Sequence, residues 1–214
     1  MSTEGIERSL IDSIGQPVVG VATDLTELAL DSLLDDGVLR DLPVLSSIIG
    51  LCRTGTRIRD LLFLKKVARF LLALEKVPQN DVADFKERLS ADEQHRRRVS
   101  EHLLELLDRL DDVEKSDLVA RAFEAYLKSR ITYADFRQLA FGIDRCFAAD
   151  LKQIRYLGTH MAAAVGVRLS SAGLVQLAFR TEPIQNQRGS PYIPTSVGRL
   201  MVDHVIAWSP PSGR

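Results

Sequence analysis

Gly50-Leu-Cys-Arg-Thr-Gly55-Thr56 has the outline of a phosphate loop, and it follows directly on the apolar run at 44–49. Nucleotide chemistry there would need a lysine after Gly55 to reach the phosphates, and none follows. Nor do strands and helices alternate downstream, as a parallel sheet would require. The better reading is a kinked helix. The four histidines, His95, His102, His160 and His204, lack zinc-ligand spacing and have no cysteine pair beside them. His204 falls on an apolar helical stripe and reads as a core or boundary residue. A serine nucleophile would be announced by a Gly-x-Ser-x-Gly turn, which the sequence does not contain. No catalytic constellation, cofactor or metal is expected.

Two charged clusters are the remaining candidates in the first 150 residues. His95-Arg96-Arg97-Arg98 is the densest basic run, but Asp92, Glu93 and Glu101 flank it. On a helix these neighbours form i,i+3 and i,i+4 pairs, so a solvated face is the better reading than a phosphate patch. Asp108, Asp111, Asp112 and Glu114 match a metal cluster only in composition, because no calcium-loop glycine follows. They read as a surface and a cap. Further along, Lys152, Arg155, Arg168, Arg180 and Arg188 stand in a segment that is nearly free of acidic residues. Residues 151–214 carry 7 Lys+Arg against 2 Asp+Glu, whereas residues 1–150 carry 21 against 27. A basic module on an acidic body is the charge pattern of a nucleic-acid-facing domain, though ordinary charge scatter on a small domain is the slightly better reading of the imbalance alone. These five side chains are the candidate phosphate contacts.

The elements that must position them lie between residues 168 and 207. Ser171-Ala172-Gly173 ends a helix, with Gly173 suited to the left-handed cap conformation. Leu174-Val-Gln-Leu-Ala-Phe-Arg180 alternates, placing Val175, Leu177 and Phe179 on one half-buried face of a strand. Residues 181–191 are polar, with two prolines and a glycine, and continue neither helix nor strand. Tyr192-Ile-Pro194 is a short return strand that must end or lie at an edge at Pro194. Thr195 is a helix N-cap, and Val197, Leu200, Met201, His204 and Val205 follow at helical spacing. The order Gly-Leu-Val, gap, Tyr192-x-x-Thr195-x-x-Gly198-x-Leu200 resembles the end of prokaryotic winged-helix domains. The resemblance covers about forty residues and implies a module that binds DNA, RNA or protein.

Everything before residue 150 reads as helix. Pro43 opens a long helical segment to Glu75, weakened by Gly50 and Gly55 and expected to kink or break near 50–56. Its basic side holds Lys65, Lys66 and Arg69. Asp81 to Leu89 is a short helix, and Ser90-Ala-Asp-Glu93 reads as a capping box for the next. That helix buries Val99, Leu103, Leu106, Leu107 and Leu110. Thr132-Tyr-Ala-Asp135 is a second capping box, with Phe136, Leu139, Ile143 and Phe147 turned inward. Gly158 or Gly166 is expected to separate the first helices of the winged-helix-like module. Arg59-Asp-Leu-Leu-Phe-Leu-Lys-Lys66 and Leu107-Asp-Arg-Leu-Asp-Asp112, with the Thr-x-x-Gly tail, resemble segments of uncharacterised helical proteins of abortive-infection (phage defence) type.

The 214 residues, 45% of them hydrophobic and 27% charged, fit a soluble globular chain of one or two domains. The start MSTEGIERSL does not read as a signal peptide, and no apolar run approaches membrane-helix length. Cys52 and Cys146 sit far apart in apolar contexts, which fits a reduced, cytoplasmic setting. The expected fold is mainly α. It comprises a helical body at 1–149, a winged-helix-like module with a small β-hairpin at 150–207, and a loose tail at 208–214. The expected function is non-enzymatic binding of nucleic acid through the module, in a prokaryotic regulatory or defence setting. Two alternatives stand beside it. One is a protein-docking or oligomerisation module; the other is a membrane-surface effector that uses the 42–74 segment as a basic amphipathic helix.

Overall fold

The computed structural model describes residues 3–16, 43–51, 58–156, 162–178 and 191–206. The chain is mainly helical with a two-stranded antiparallel sheet. It forms two compact units, Met1–Ala120 and Arg121–Arg214.

The N-terminal unit contains α1 (Thr3–Ser13), α2 (Pro43–Leu51), α3 (Ile58–Leu74), α4 (Gln79–Ser90) and α5 (Glu93–Arg109). Helix α6 (Lys115–Leu127) begins in it and crosses the boundary. Helix α5 is the hub: α1, α3 and α4 all pack against it. Its stripe at Val99, Leu103, Leu106 and Leu107 is fully buried, as the spacing predicts. Helix α3 contributes Leu64, Val67, Phe70, Leu71 and Leu74 to the same core. The apolar side that would float on a lipid surface is thereby committed to protein contact, apart from Leu61 and Leu62. The long 43–75 segment is present as two helices, ending at Leu51 and starting at Ile58. The expected break overlaps residues 52–57, which lie outside the described residues.

Helix α5 corrects the expected capping box. Ser90 is the last residue of α4, and its hydroxyl donates back to the Glu87 carbonyl at 2.7 Å. The cap is Asp92, whose carboxylate accepts from the His95 backbone N–H at 2.9 Å. Both candidates satisfy the local rule, but α4 continues through Ser90 and removes it from the running.

In the C-terminal unit the second capping box forms as expected. The Thr132 hydroxyl accepts from the Asp135 N–H at 3.1 Å, and the Asp135 carboxylate accepts from the Thr132 N–H at 3.0 Å. It opens α7 (Tyr133–Arg145), which is followed by α8 (Ala148–Gln153), a 3-10 turn (Ile154–Tyr156) and α9 (Ala163–Ser171). Strands β1 (Val175–Leu177) and β2 (Tyr192–Pro194) pair as the expected hairpin. Then come α10 (Ser196–Leu200) and a π-helical turn (Met201–Val205). The core joins Phe123, Phe136, Leu139, Ile143, Leu169, Leu174 and Met201, all shielded from solvent. Phe123 and Phe136 meet edge to face at 5.5 Å, a favoured aromatic geometry. Helix α10 packs on α7, so the hairpin and its closing helix share a unit with residues 121–149.

Two inward assignments change. Phe147 is 62% exposed, because α7 stops at Arg145 and Phe147 becomes the residue preceding α8. Leu177 is 61% exposed, although Val175 on the same strand and Tyr192 directly opposite it are buried. Gly166 does not separate helices; it lies buried inside α9. Gly158 and Phe179 lie outside the described residues.

Candidate binding surface

The helix–hairpin–helix of the C-terminal unit is held by backbone chemistry that the sequence announces. Gly173 takes φ +74°, the left-handed cap conformation. Its N–H donates to the Ser170 carbonyl at 2.9 Å, and the Leu174 N–H donates to the Leu169 carbonyl at 3.0 Å. These are the two bonds of a Schellman ending. It turns the chain from α9 directly into β1. The register pairs Val175 with Pro194, Gln176 with Ile193 and Leu177 with Tyr192. Pro194 sits at the end of its strand, where its missing N–H costs no ladder bond.

Thr195 locks the base of the hairpin. Its N–H donates to the Leu174 carbonyl at 3.1 Å, and its hydroxyl donates to the Gly173 carbonyl at 2.7 Å. The same hydroxyl accepts from the Gly198 N–H at 3.0 Å, capping α10. Two glycines permit this closeness. A Cβ on Gly198 would stand 1.9 Å from the Leu174 carbonyl oxygen, and a Cβ on Gly166 would stand 2.2 Å from the Tyr192 ring. Of the pattern read from the sequence, Thr195 and Gly198 therefore act as one clasp around Leu174, while Tyr192 packs on Gly166. Gly166 is the contribution that pattern reading missed. A helical glycine that is not at a terminus was the available signal.

Directly opposed residues of an antiparallel pair share a face, so Leu177 stands beside Tyr192. Tyr192 is buried against Gly166, and the next residue of α9, Val167, is 59% exposed. Leu177, opposite the tyrosine, and Val167, which follows Gly166 on α9, are thus both exposed, and Ile193 is exposed on the opposite face of the hairpin.

The five basic candidates are placed as follows. Lys152 on α8 and Arg155 on the 3-10 turn are exposed. Arg180 and Arg188 lie outside the described residues. Arg168 on α9 is exposed, but its guanidinium grips the buried Asp150 carboxylate, Nε to Oδ2 at 2.6 Å and Nη2 to Oδ1 at 2.9 Å. It also lies over the exposed Phe147 ring at 6.0 Å. This hydrogen-bonded carboxylate raises the Arg168 pKa above its ordinary value. Asp150 is thus the counter-ion of one of the five phosphate candidates.

The other charged clusters behave as solvated faces. Arg96 pairs with Glu93, and Arg97 Nε donates to Glu101 at 2.8 Å. Arg59 pairs with Asp108 at 2.6 Å, and Lys115 with Asp111 at 2.6 Å. Asp112 accepts from the Glu114 N–H at 2.7 Å as a local turn cap. Among the described residues no group of three or more histidine, cysteine or acidic side chains is placed to hold a metal. His160 and Cys52 lie outside them; Cys146 is buried. Among the described residues no helix is long and apolar enough to cross a membrane.

The chain matches no protein-family model, no curated protein and no solved structure.

Proposed function

We propose that this chain is a binding protein whose C-terminal unit docks a protein partner through α9 and the Leu177–Tyr192 pair of the hairpin. The observation that carries the reading is that two apolar side chains, Leu177 opposite the buried Tyr192 and Val167 on α9, are more than half exposed. Apolar side chains fixed by a Schellman ending and a threonine clasp present contact area at little ordering cost. Burial of one such side chain at an interface contributes roughly 1.5–3 kcal/mol. The resemblance of the Tyr-x-x-Thr-x-x-Gly ending to winged-helix modules, and of the helical segments to abortive-infection proteins, supports a regulatory or defence setting.

Nucleic-acid binding is the second reading, and charge favours it. Residues 121–214 hold 12 Lys+Arg against 6 Asp+Glu, while residues 1–120 hold 16 against 23. Against it stands the bidentate neutralisation of Arg168 by Asp150.

A photocrosslinking side chain at position 177 of the full-length chain, expressed in cells, tests the first reading. It should yield a discrete protein adduct that weakens when Val167→Asp is added. Equal adducts from exposed Arg137 on α7 would overturn it. Fluorescence anisotropy with duplex DNA and with RNA tests the second. Binding whose log–log salt slope drops by roughly 0.9 for each basic residue neutralised among Lys152, Arg155, Arg180 and Arg188 would put nucleic acid first. No binding at low salt would eliminate that reading.

A further inference from the structure

One side of α7 is turned away from the core of the C-terminal unit. Leu139, Ala140 and Ile143 are buried, whereas Arg137, Phe141 and Arg145 are exposed. These three recur at i, i+4 and i+8 and so lie along one face of the helix. Phe141 is 50% exposed, and the Arg145 guanidinium stands over its ring at 5.4 Å from the centroid. Beyond Arg145 the chain leaves the helix in extended backbone, with Cys146 at φ −106° and ψ 153°. Successive side chains point to opposite faces of extended backbone. Buried Cys146 therefore points inward, and its exposed neighbours Arg145 and Phe147 emerge together on the other side. The Phe147 ring is met in turn by the Arg168 guanidinium at 6.0 Å. Cation and ring thus alternate in one row: Arg137, Phe141, Arg145, Phe147 and Arg168.

The three arginines are of two kinds. Arg168 is neutralised by the buried Asp150, whose bidentate grip also fixes the guanidinium against Phe147. It props the ring rather than binding a phosphate. Arg137 and Arg145 pair with no carboxylate among the described residues. Asp144 borders the row but is half-buried, and Asp135 is engaged in its capping box, so the face stays cationic. Exposed rings interleaved with unneutralised guanidinium groups suit a ligand with open aromatic faces and negative charges in regular succession. Bases stack on aromatic rings and on guanidinium planes, and phosphates take the charge. We propose that this row binds single-stranded nucleic acid. A duplex keeps its base faces inside the stack and would meet only the arginines. The proposal rests on the nucleic-acid reading above and deepens it. It names the form of the ligand and a surface that uses none of Lys152, Arg155, Arg180 and Arg188. Nor does it share a side chain with the protein-docking surface.

Fluorescence anisotropy of the full-length protein with labelled oligothymidylate, alone and annealed to oligoadenylate, tests the proposal. The single strand should bind more tightly than the duplex. Phe141→Ala and Phe147→Ala, at exposed positions, should each weaken single-strand binding by roughly 5- to 150-fold, the range for one lost stacking contact. Together they should erase the preference over duplex, with urea midpoints confirming that both variants fold. Arg145→Gln should lower the log–log salt slope by roughly 0.7, one phosphate contact on a single strand. Single-strand binding that survives both phenylalanine substitutions but weakens with Lys152→Gln and Arg155→Gln would overturn the row and leave the nucleic-acid reading standing. No binding of oligothymidylate at low salt would also overturn the proposal. Labelled polyglutamate bound in its place would assign the face to an acidic protein segment instead.

Discussion

Asp92 and Ser90 make the sharpest contrast among single side chains. Asp92→Ala should lower stability by roughly 0.5–2 kcal/mol, the usual loss for an N-cap, and Ser90→Ala should change it by only a few tenths. Urea midpoints of the two variants measure the difference; equal losses would return the cap to Ser90. Thr132 and Asp135 carry a pH dependence as well. Hydrogen bonds from the Thr132 side chain and backbone hold the Asp135 carboxyl below the usual carboxylate range. Its folded pKa is depressed, so its contribution is fully present above the unfolded value of about 3.9. That contribution fades as pH falls through the lower folded value. Asp135→Asn should therefore lose stability at pH 7 and show a flatter decline below about pH 4 than wild type. Thermal midpoints between pH 2 and pH 7 check this, and parallel curves would refute it. This box was legible because all its partners lie within four residues. Asp150 with Arg168 was not, because eighteen residues of chain separate a pair that only folding brings together.

The hairpin and its two flanking helices depend on glycines for two separable reasons. Gly198→Ala and Gly166→Ala insert a methyl group where a carbonyl oxygen and an aromatic ring already stand. Overpacking of this kind costs typically 1–3 kcal/mol. Gly173→Ala meets nothing within 4 Å and carries only the strain of φ +74°, about 1–2 kcal/mol. Asparagine visits that conformation more readily than alanine, so Gly173→Asn should recover part of the Gly173→Ala loss, whereas no substitution at Gly198 should. Chemical denaturation of the four variants distinguishes steric from conformational loss; a neutral Gly198→Ala would dismiss the clasp. The strands themselves were legible from alternation and from Pro194. The exposure of Leu177 was not, since alternation assigns residues to a face without saying which side chain on that face is covered by the rest of the fold.

Across the chain, the helical stripes hold up best where they are longest. Leu106 is completely buried at the centre of α5, on which three other helices pack. Leu106→Ala should destabilise the N-terminal unit by roughly 2–5 kcal/mol, from lost transfer energy together with the cavity left behind. A midpoint change equivalent to well under 1 kcal/mol would show that the site relaxes around the smaller side chain. The charge asymmetry, read from the sequence at residue 150, persists when drawn at the boundary of the compact units. Residues 1–120 carry a net −7 and residues 121–214 a net +6, with histidine neutral.

Local rules sufficed for the helical class, the buried stripe of α5, the glycine ending of α9, the hairpin and the caps at Thr132 and Thr195. Each depends on residues a few positions apart, where periodicity and backbone geometry speak directly. Folding decided the rest. It set Asp150 under Arg168 and Gly166 under Tyr192. Such contacts join residues distant in sequence, and their energy depends on distance and burial, quantities that no spacing along the chain contains.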